Sequence, residues 1–158
     1  MAIITLNNNS LSSVTALPAG VGGKVLQVVN GTSTTEVVNN STTWTDTGLS
    51  ATITPSSTSS KILISAHIQG VGKNGTAYTV LKLLRGSTDI VANFENRGAD
   101  TDTTSTNKVG GCSVTYLDSP STTSATTYKV QMQGNGDVYA QTGDSNPNHS
   151  MTLIEVAG

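Results

Sequence analysis

The chain has 158 residues, the length of one domain. Charged residues make up 11% of it and the net charge is −2, with no basic stripe, which argues against binding nucleic acid by neutralising phosphates. A single cysteine excludes a disulfide framework within the chain.

Ser and Thr exceed a quarter of the residues. Low charge with many hydroxyls fits an all-β domain whose exposed strand faces carry Thr. It also fits a protein kept soluble by its neighbours in an assembly.

Residues 1–23 differ from the rest. They carry no charge, contain Ile3, Ile4, Leu6, Leu11, Val14 and Leu17, and end in Pro18, Gly20, Gly22 and Gly23. We read an arm followed by a Gly-rich hinge, with the six apolar residues as its contacts. The arm is expected to dock on a neighbouring subunit or a larger particle, an added edge strand being the other option. It lacks the basic start and long apolar core of a signal peptide, and no apolar run in the chain is long enough for a membrane-spanning helix.

From residue 24 to 158 short strand candidates follow one another at roughly 8–12-residue spacing, the signature of a sandwich or barrel. They cover 24–29, 41–47, 49–54, 61–71, 77–85, 89–95, 112–118, 127–133, 137–142 and 151–157. Turn chemistry separates them: Asn30-Gly31, Asn74-Gly75, Arg85-Gly86-Ser87, Gly134-Asn135-Gly136-Asp137 and the run from Asp144 to Asn148. Two connections share one idiom. ITPSSTSSKILI and LDSPSTTSATTYKVQ each close a strand with Pro, run through Ser and Thr, and restart an alternation.

Period-two alternation assigns faces. Ile62, Ile64, Ala66 and Ile68 share one face, Ser65, His67 and Gln69 the other, and Leu63 breaks the pattern. Tyr128, Val130 and Met132 face in, against Lys129 and Gln131. Leu81, Leu83 and Leu84 make the strand at 77–85 apolar on both sides, as in a central strand or one facing a partner subunit. No segment has helical periodicity. Nine or ten strands predict an antiparallel two-sheet jelly-roll sandwich of the TNF/C1q type. Such folds often trimerise through an apolar sheet face, and Leu81, Leu83 and Tyr128 are the predicted trimer contacts. The last strand is expected within a sheet rather than at its edge.

Residues that could carry chemistry are few. His67 and His149 are the only histidines, with no HxH, HxxxH or CxxC spacing, so no metal site is predicted. Cys112 starts a strand and reads as a buried small hydrophobe. Asp100, Asp102 and Asp144 lie in polar loops, too few for a calcium cage of six to eight oxygens. No GxSxG, GxGxxG or Walker pattern occurs. No catalytic residue and no cofactor is assigned. The aromatics, spread one per strand, read as core filling, with Tyr139 the best candidate for stacking on a sugar.

The segments GKVLQVV, WTDTGLSATITPSSTSSKILI, LLRGST and YLDSPSTTSATTYKVQ, with the opening MAIITLNNNSLSSVTALPAG, together resemble short Ser/Thr-rich virion proteins of tailed bacteriophages, especially those of cyanobacteria and marine bacteria. The resemblance spans nearly the whole chain. It implies a jelly-roll trimer akin to capsid-decorating knobs and fibre heads, on the outer surface of a virion. It carries no catalytic group and no position-by-position functional residues.

Two functional readings follow. In the first the protein is a capsid-decoration, or cement, homotrimer. Its arm lies across the major capsid protein or another virion protein and adds buried area against the pressure of packed DNA. In the second it is a tail-fibre or receptor-binding knob. Loops 96–109 and 143–149, with Arg97, Asp100, Asp102, Asp144 and His149, then touch a host-surface glycan or protein. A TNF- or C1q-like domain of non-viral source is a third reading, disfavoured by the phage-like idiom. Neither virion reading involves nucleic acid or membrane.

Overall fold

Alternating apolar and polar residues become ten β-strands in the computed structural model, which describes residues 25–96, 107–140 and 148–158. The strands are β1 (Val25–Ser33), β2 (Val37–Asn39), β3 (Thr45–Ile53), β4 (Lys61–Lys73), β5 (Thr79–Arg85), β6 (Thr88–Asn96), β7 (Asn107–Asp118), β8 (Thr126–Gly134), β9 (Val138–Ala140) and β10 (His149–Val156). The described residues contain no helix.

All pairings are antiparallel, and they build two sheets packed face to face as a β-sandwich. One sheet has the order β3-β8-β5-β6. The other has six strands. At one end β1, β10, β4 and β7 lie side by side, and toward the other end β9 and β2 extend the sheet beside β4. The C-terminal strand β10 is hydrogen-bonded on both sides, to β1 and β4, as expected from the sequence.

The inner faces are those the alternation assigns. Ile62, Ile64, Ala66 and Ile68 from β4 meet Tyr128, Val130 and Met132 from β8, with Leu81 and Leu83 from β5 and Met151 and Leu153 from β10. The core is mainly aliphatic, contrary to the aromatic filling expected. Among the aromatics Tyr128 alone is fully buried, Phe94 packs in part against the core, and Tyr116 is exposed.

Three local readings change. Asn30-Gly31 is not a hairpin corner but lies inside β1. A Cβ on Gly31 would stand 2.1 Å from the Ser50 carbonyl oxygen, so this glycine lets the edge of one sheet pass close over β3 of the other. The candidates 41–47 and 49–54 merge in β3, whose register shifts between Asp46 and Ser50 around Gly48 at φ +81°. The three-residue β2 escaped the periodicity because it is too short to show one. By contrast Asn74-Gly75, Gly86-Ser87 and Asn135-Gly136 lie in turns as predicted.

Both Pro-Ser/Thr connections are loops at one end of the sandwich, where buried carboxylates need donors. Asp118, ending β7, accepts from Arg85 Nη1 at 2.8 and 2.9 Å and from the Tyr128 hydroxyl at 2.7 Å. This joins the six-stranded sheet to β5 and β8 of the other. Glu155 on β10 accepts from the backbone N–H of Ser56 at 2.7 Å, from its hydroxyl at 2.6 Å, and from Gln27 Nε2 at 2.5 Å. At the opposite end Asn39 does similar work. Its amide donates to the carbonyls of Thr43 (2.7 Å) and Met132 (3.3 Å), and its oxygen accepts from Ser41.

A hydrogen bond to a buried charged group contributes about 1.5–3 kcal/mol. Tyr128→Phe should therefore lower the unfolding free energy by that amount, read as a shift in urea midpoint. Asp118→Ala, which also strips Arg85 of its partner, should cost ~3 kcal/mol or more. An unchanged midpoint for both variants would remove Asp118 as an inter-sheet tie.

Candidate interaction surfaces

The predicted site residues fall into three groups. Ile3, Ile4, Leu6, Leu11, Val14 and Leu17 of the arm, and Arg97, Asp100, Asp102 and Asp144 of the loops, lie outside the described residues. Leu81, Leu83 and Tyr128 are each 0% exposed, between the sheets. Side chains without accessible surface cannot meet a neighbouring subunit, so their assignment as trimer contacts is corrected: they are the monomer's own core. His149 is likewise 0% exposed, facing inward at the start of β10, so it is withdrawn from the receptor-loop set.

The two outer faces differ in chemistry. On the four-stranded sheet polar groups pair among themselves. Asp46 bridges to Lys129 at 3.0 Å and accepts from Gln131 at 2.7 Å. Burial by itself would raise the Asp46 carboxyl, but the hydrogen bonds from Gln131 and Lys129 win and hold it below the ordinary carboxylate value. Lys82 bridges to Asp89 at 3.0 Å and stands 4.3 Å from the centroid of the Trp44 ring. That contact places Trp44 with the surface network instead of in the core. A shallow depression of about 120 Å³ at the β3 bulge is lined by Asp46, Gly48, Leu49, Ser50, Thr127 and Lys129. Its charged groups already satisfy one another.

The outer face of the six-stranded sheet is different. Register brings Val28, Ile154, Leu63 and Leu117 into a single cross-strand row over β1, β10, β4 and β7. Leu63, the residue that broke the alternation, is one of the two inner members of that row. The next rows are hydroxyl-rich: Asn30, Thr152, Ser65 and Thr115, then Thr32, Ser150, His67 and Ser113. His67 Nδ1 lies 2.7 Å from the Ser113 hydroxyl, and its ring covers Gly111. Tyr139 pairs with Val38, which is 49% exposed, near the other end of this sheet. Sequence reasoning missed the row because its members come from four distant segments.

Buried titratable groups serve the interior. Cys112 is buried and its thiol is pushed up to about 11, by burial first and by the Glu95 carboxylate second, so it stays protonated. Lys73, also buried, donates to the Gly75 carbonyl. Both ring nitrogens of His149 lack a hydrogen-bond partner among the described residues. Among those residues no three His, Cys, Asp or Glu side chains come together as a metal site would require.

No protein-family model matches this chain, and no curated protein matches it.

Two of these buried groups predict an acid response. Burial, with a smaller contribution from His67, lowers His149 from 6.5 to about 4. The unfolded chain therefore takes up the proton first, and stability falls as pH drops from about 6.5 and levels off below about 4. Burial alone would raise Glu155, but the hydrogen bonds from Ser56 and Gln27, with the Ser60 hydroxyl close by, bring it from 4.5 down to about 2. Its stabilisation is present above about 4.5 and lost as pH falls toward 2. His149→Leu should flatten the upper window, worth on the order of 3 kcal/mol, and Glu155→Gln the lower. Urea midpoints measured from pH 7 to 2.5 check both, and a wild-type profile flat from pH 6.5 to 4 would refute the His149 assignment.

Proposed function

We propose that this protein is a non-enzymatic structural component of a tailed-phage virion. In this reading it is a jelly-roll homotrimer that decorates the outer surface of the head and anchors there through its N-terminal arm. The observation that carries the reading is the contrast between the two outer faces. One sheet closes its polar groups on themselves. The other exposes an apolar row and hydroxyl rows with little charge, a surface suited to permanent contact.

The strand orders β3-β8-β5-β6 and β1-β10-β4-β7 support the jelly-roll assignment. Consecutive strands β3 and β4 cross between sheets, as do β4 and β5, β6 and β7, and β7 and β8, which is how two Greek keys wind such a sandwich. The loops at the Asp118 and Glu155 end support a structural role. In the first of them the Ser56 N–H and hydroxyl satisfy the buried Glu155 carboxylate, while Asp118 beside the second is satisfied by Arg85 and Tyr128 from the strands. The charge-free, apolar arm, joined by a Gly-rich hinge, supports docking on the major capsid protein or another virion protein.

Label carried by this chain should decorate the head of intact particles in electron micrographs. Deleting residues 1–20 should abolish particle binding and leave the free protein's assembly state unchanged. Label confined to the tail would replace this reading with a fibre or receptor-binding knob. Undiminished particle binding by the deletion variant would remove the arm as the anchor.

A further inference from the structure

The chain contains three Asn-Gly pairs, Asn30-Gly31, Asn74-Gly75 and Asn135-Gly136. Their local sequence opens all three to one reaction. The main-chain nitrogen of the glycine attacks the side-chain amide carbon of the asparagine, ammonia leaves, and a five-membered succinimide closes. Water then opens the ring at either carbonyl and gives aspartate or isoaspartate, with no oxidant, reductant or enzyme needed. Glycine favours the attack because it has no Cβ beside its nitrogen. The fold decides which pair can reach the ring geometry. From the turn after β4 we infer that Asn74 is a site of self-modification in the native protein, and that its isoaspartyl product pulls the turn off the buried Lys73.

Ring closure needs an accessible glycine nitrogen and a main chain able to rotate at the asparagine. Asn30-Gly31 lies inside β1, where the ladder to β10 pins the extended backbone. Asn30 Nδ2 donates to Thr152 Oγ1 at 3.1 Å, and the Ser50 carbonyl oxygen fills the space over Gly31. Asn135-Gly136 lies in a turn, but the Asn135 side-chain oxygen accepts from the Tyr78 N–H at 2.9 Å, which fixes the carboxamide. Asn74-Gly75 differs from both. Asn74 is exposed, and the Gly75 N–H has no hydrogen-bond partner among the described residues. Gly75 stands at φ +61° with open space where a Cβ would be. The Ala77 N–H donates to the Asn74 carbonyl at 3.2 Å, so one hydrogen bond closes the turn.

The same turn serves Lys73, which is 0% exposed and donates its ammonium to the Gly75 carbonyl. The Asn74 N–H donates to the Asp137 carbonyl at 2.9 Å and ties the turn to the β8–β9 connection. Isoaspartate at 74 routes the main chain through the former side-chain carbon. This inserts one methylene before Gly75 and turns the carbonyl that Ala77 used into a free carboxylate. The Gly75 carbonyl is displaced from Lys73, and a buried ammonium that loses an acceptor is costly. Aspartate at 74 keeps the main-chain path and only adds one negative charge to a chain of net charge −2.

This inference is independent of where a particle carries the protein. Full-length protein is incubated in mildly alkaline buffer, native and in urea, and the peptides bearing residues 30, 74 and 135 are followed by mass. In the native protein residue 74 should gain one mass unit at least about tenfold faster than residues 30 and 135, since an exposed turn opens far more readily than a ladder. In urea the three rates should converge, because the pairs share one local sequence. The isoaspartyl chain, identified with an isoaspartyl methyltransferase and separated by chromatography, should unfold at a lower urea midpoint than Asn74→Asp, which carries the same charge on a normal main chain. A native chain in which Asn30 or Asn135 converts as fast as Asn74 overturns the site. So does a native chain whose residue 74 keeps its mass while the urea-unfolded chain reacts. Equal midpoints for the isoaspartyl chain and Asn74→Asp overturn the link to Lys73.

Discussion

Asp118 and Glu155 lie in one cross-strand row on the inner face of the six-stranded sheet, one on each side of Ile62. They are 5% and 0% exposed. A carboxylate taken out of water is costly unless its oxygens are matched by donors, so this row dictates much of what surrounds it. Asp118 draws Arg85 and Tyr128 from the opposite sheet. Glu155 draws Gln27 from β1 and Ser56 from the loop after β3. The two acids thus tie both sheets, the first strand and the loop after β3 to a single end of the sandwich. The hydrophobic core sets the layers. The acid row sets how their ends are closed.

The Ser/Thr-rich loop after β3 answers the same constraint. Pro55 ends one strand, and the next residue then turns both its N–H and its hydroxyl to Glu155. Pro120 sits in the corresponding connection after Asp118, where the Ser119 hydroxyl accepts from Lys61. The C-terminal Gly158 passes so close to Ser59 that a Cβ would stand 1.8 Å from its carbonyl oxygen. The last residue of the chain is thereby packed against the first of these loops. A composition that looks low in information is, at these positions, a set of small hydrogen-bonding groups, Ser56 donating and Ser119 accepting, that fit between strand ends.

A division of labour between the faces accompanies this. Paired surface charge lies on the outer face of the four-stranded sheet, where Lys82 meets Asp89 and Lys129 meets Asp46. In each pair the carboxylate stays open to solvent, and ion pairs screened in this way add little stability. Their effect is to keep that face compatible with solvent. The outer face of the six-stranded sheet, with its acids turned inward, is left with an apolar stripe and rows of hydroxyls. That asymmetry is the physical basis of the proposed assembly.

Much of the strand pattern was legible in the sequence, because a period of two marks a half-buried strand wherever it runs for six or more residues. The inward set of β4 and of β8, and the two Pro-Ser/Thr loops, follow from it. What alternation does not carry is which strands become neighbours. Leu63 stood out as an exception, but its partners Val28, Ile154 and Leu117 became visible only through register across three ladders. Leu81, Leu83 and Tyr128 were apolar in the right rhythm, yet only packing decides whether such a face meets the other sheet or another molecule, and here it meets the other sheet. His149, polar and next to a loop, read as a surface residue, and the β10 register turns it inward instead. Asn30-Gly31 read as a turn, because local chemistry cannot tell a glycine needed for φ from one needed for close approach. The sequence by itself determined the all-β class, the faces of the long strands and the loop idiom, since these depend on nearest neighbours. The tertiary structure alone decided the acid row, the apolar stripe and the inward histidine, since each depends on which distant segments share a ladder.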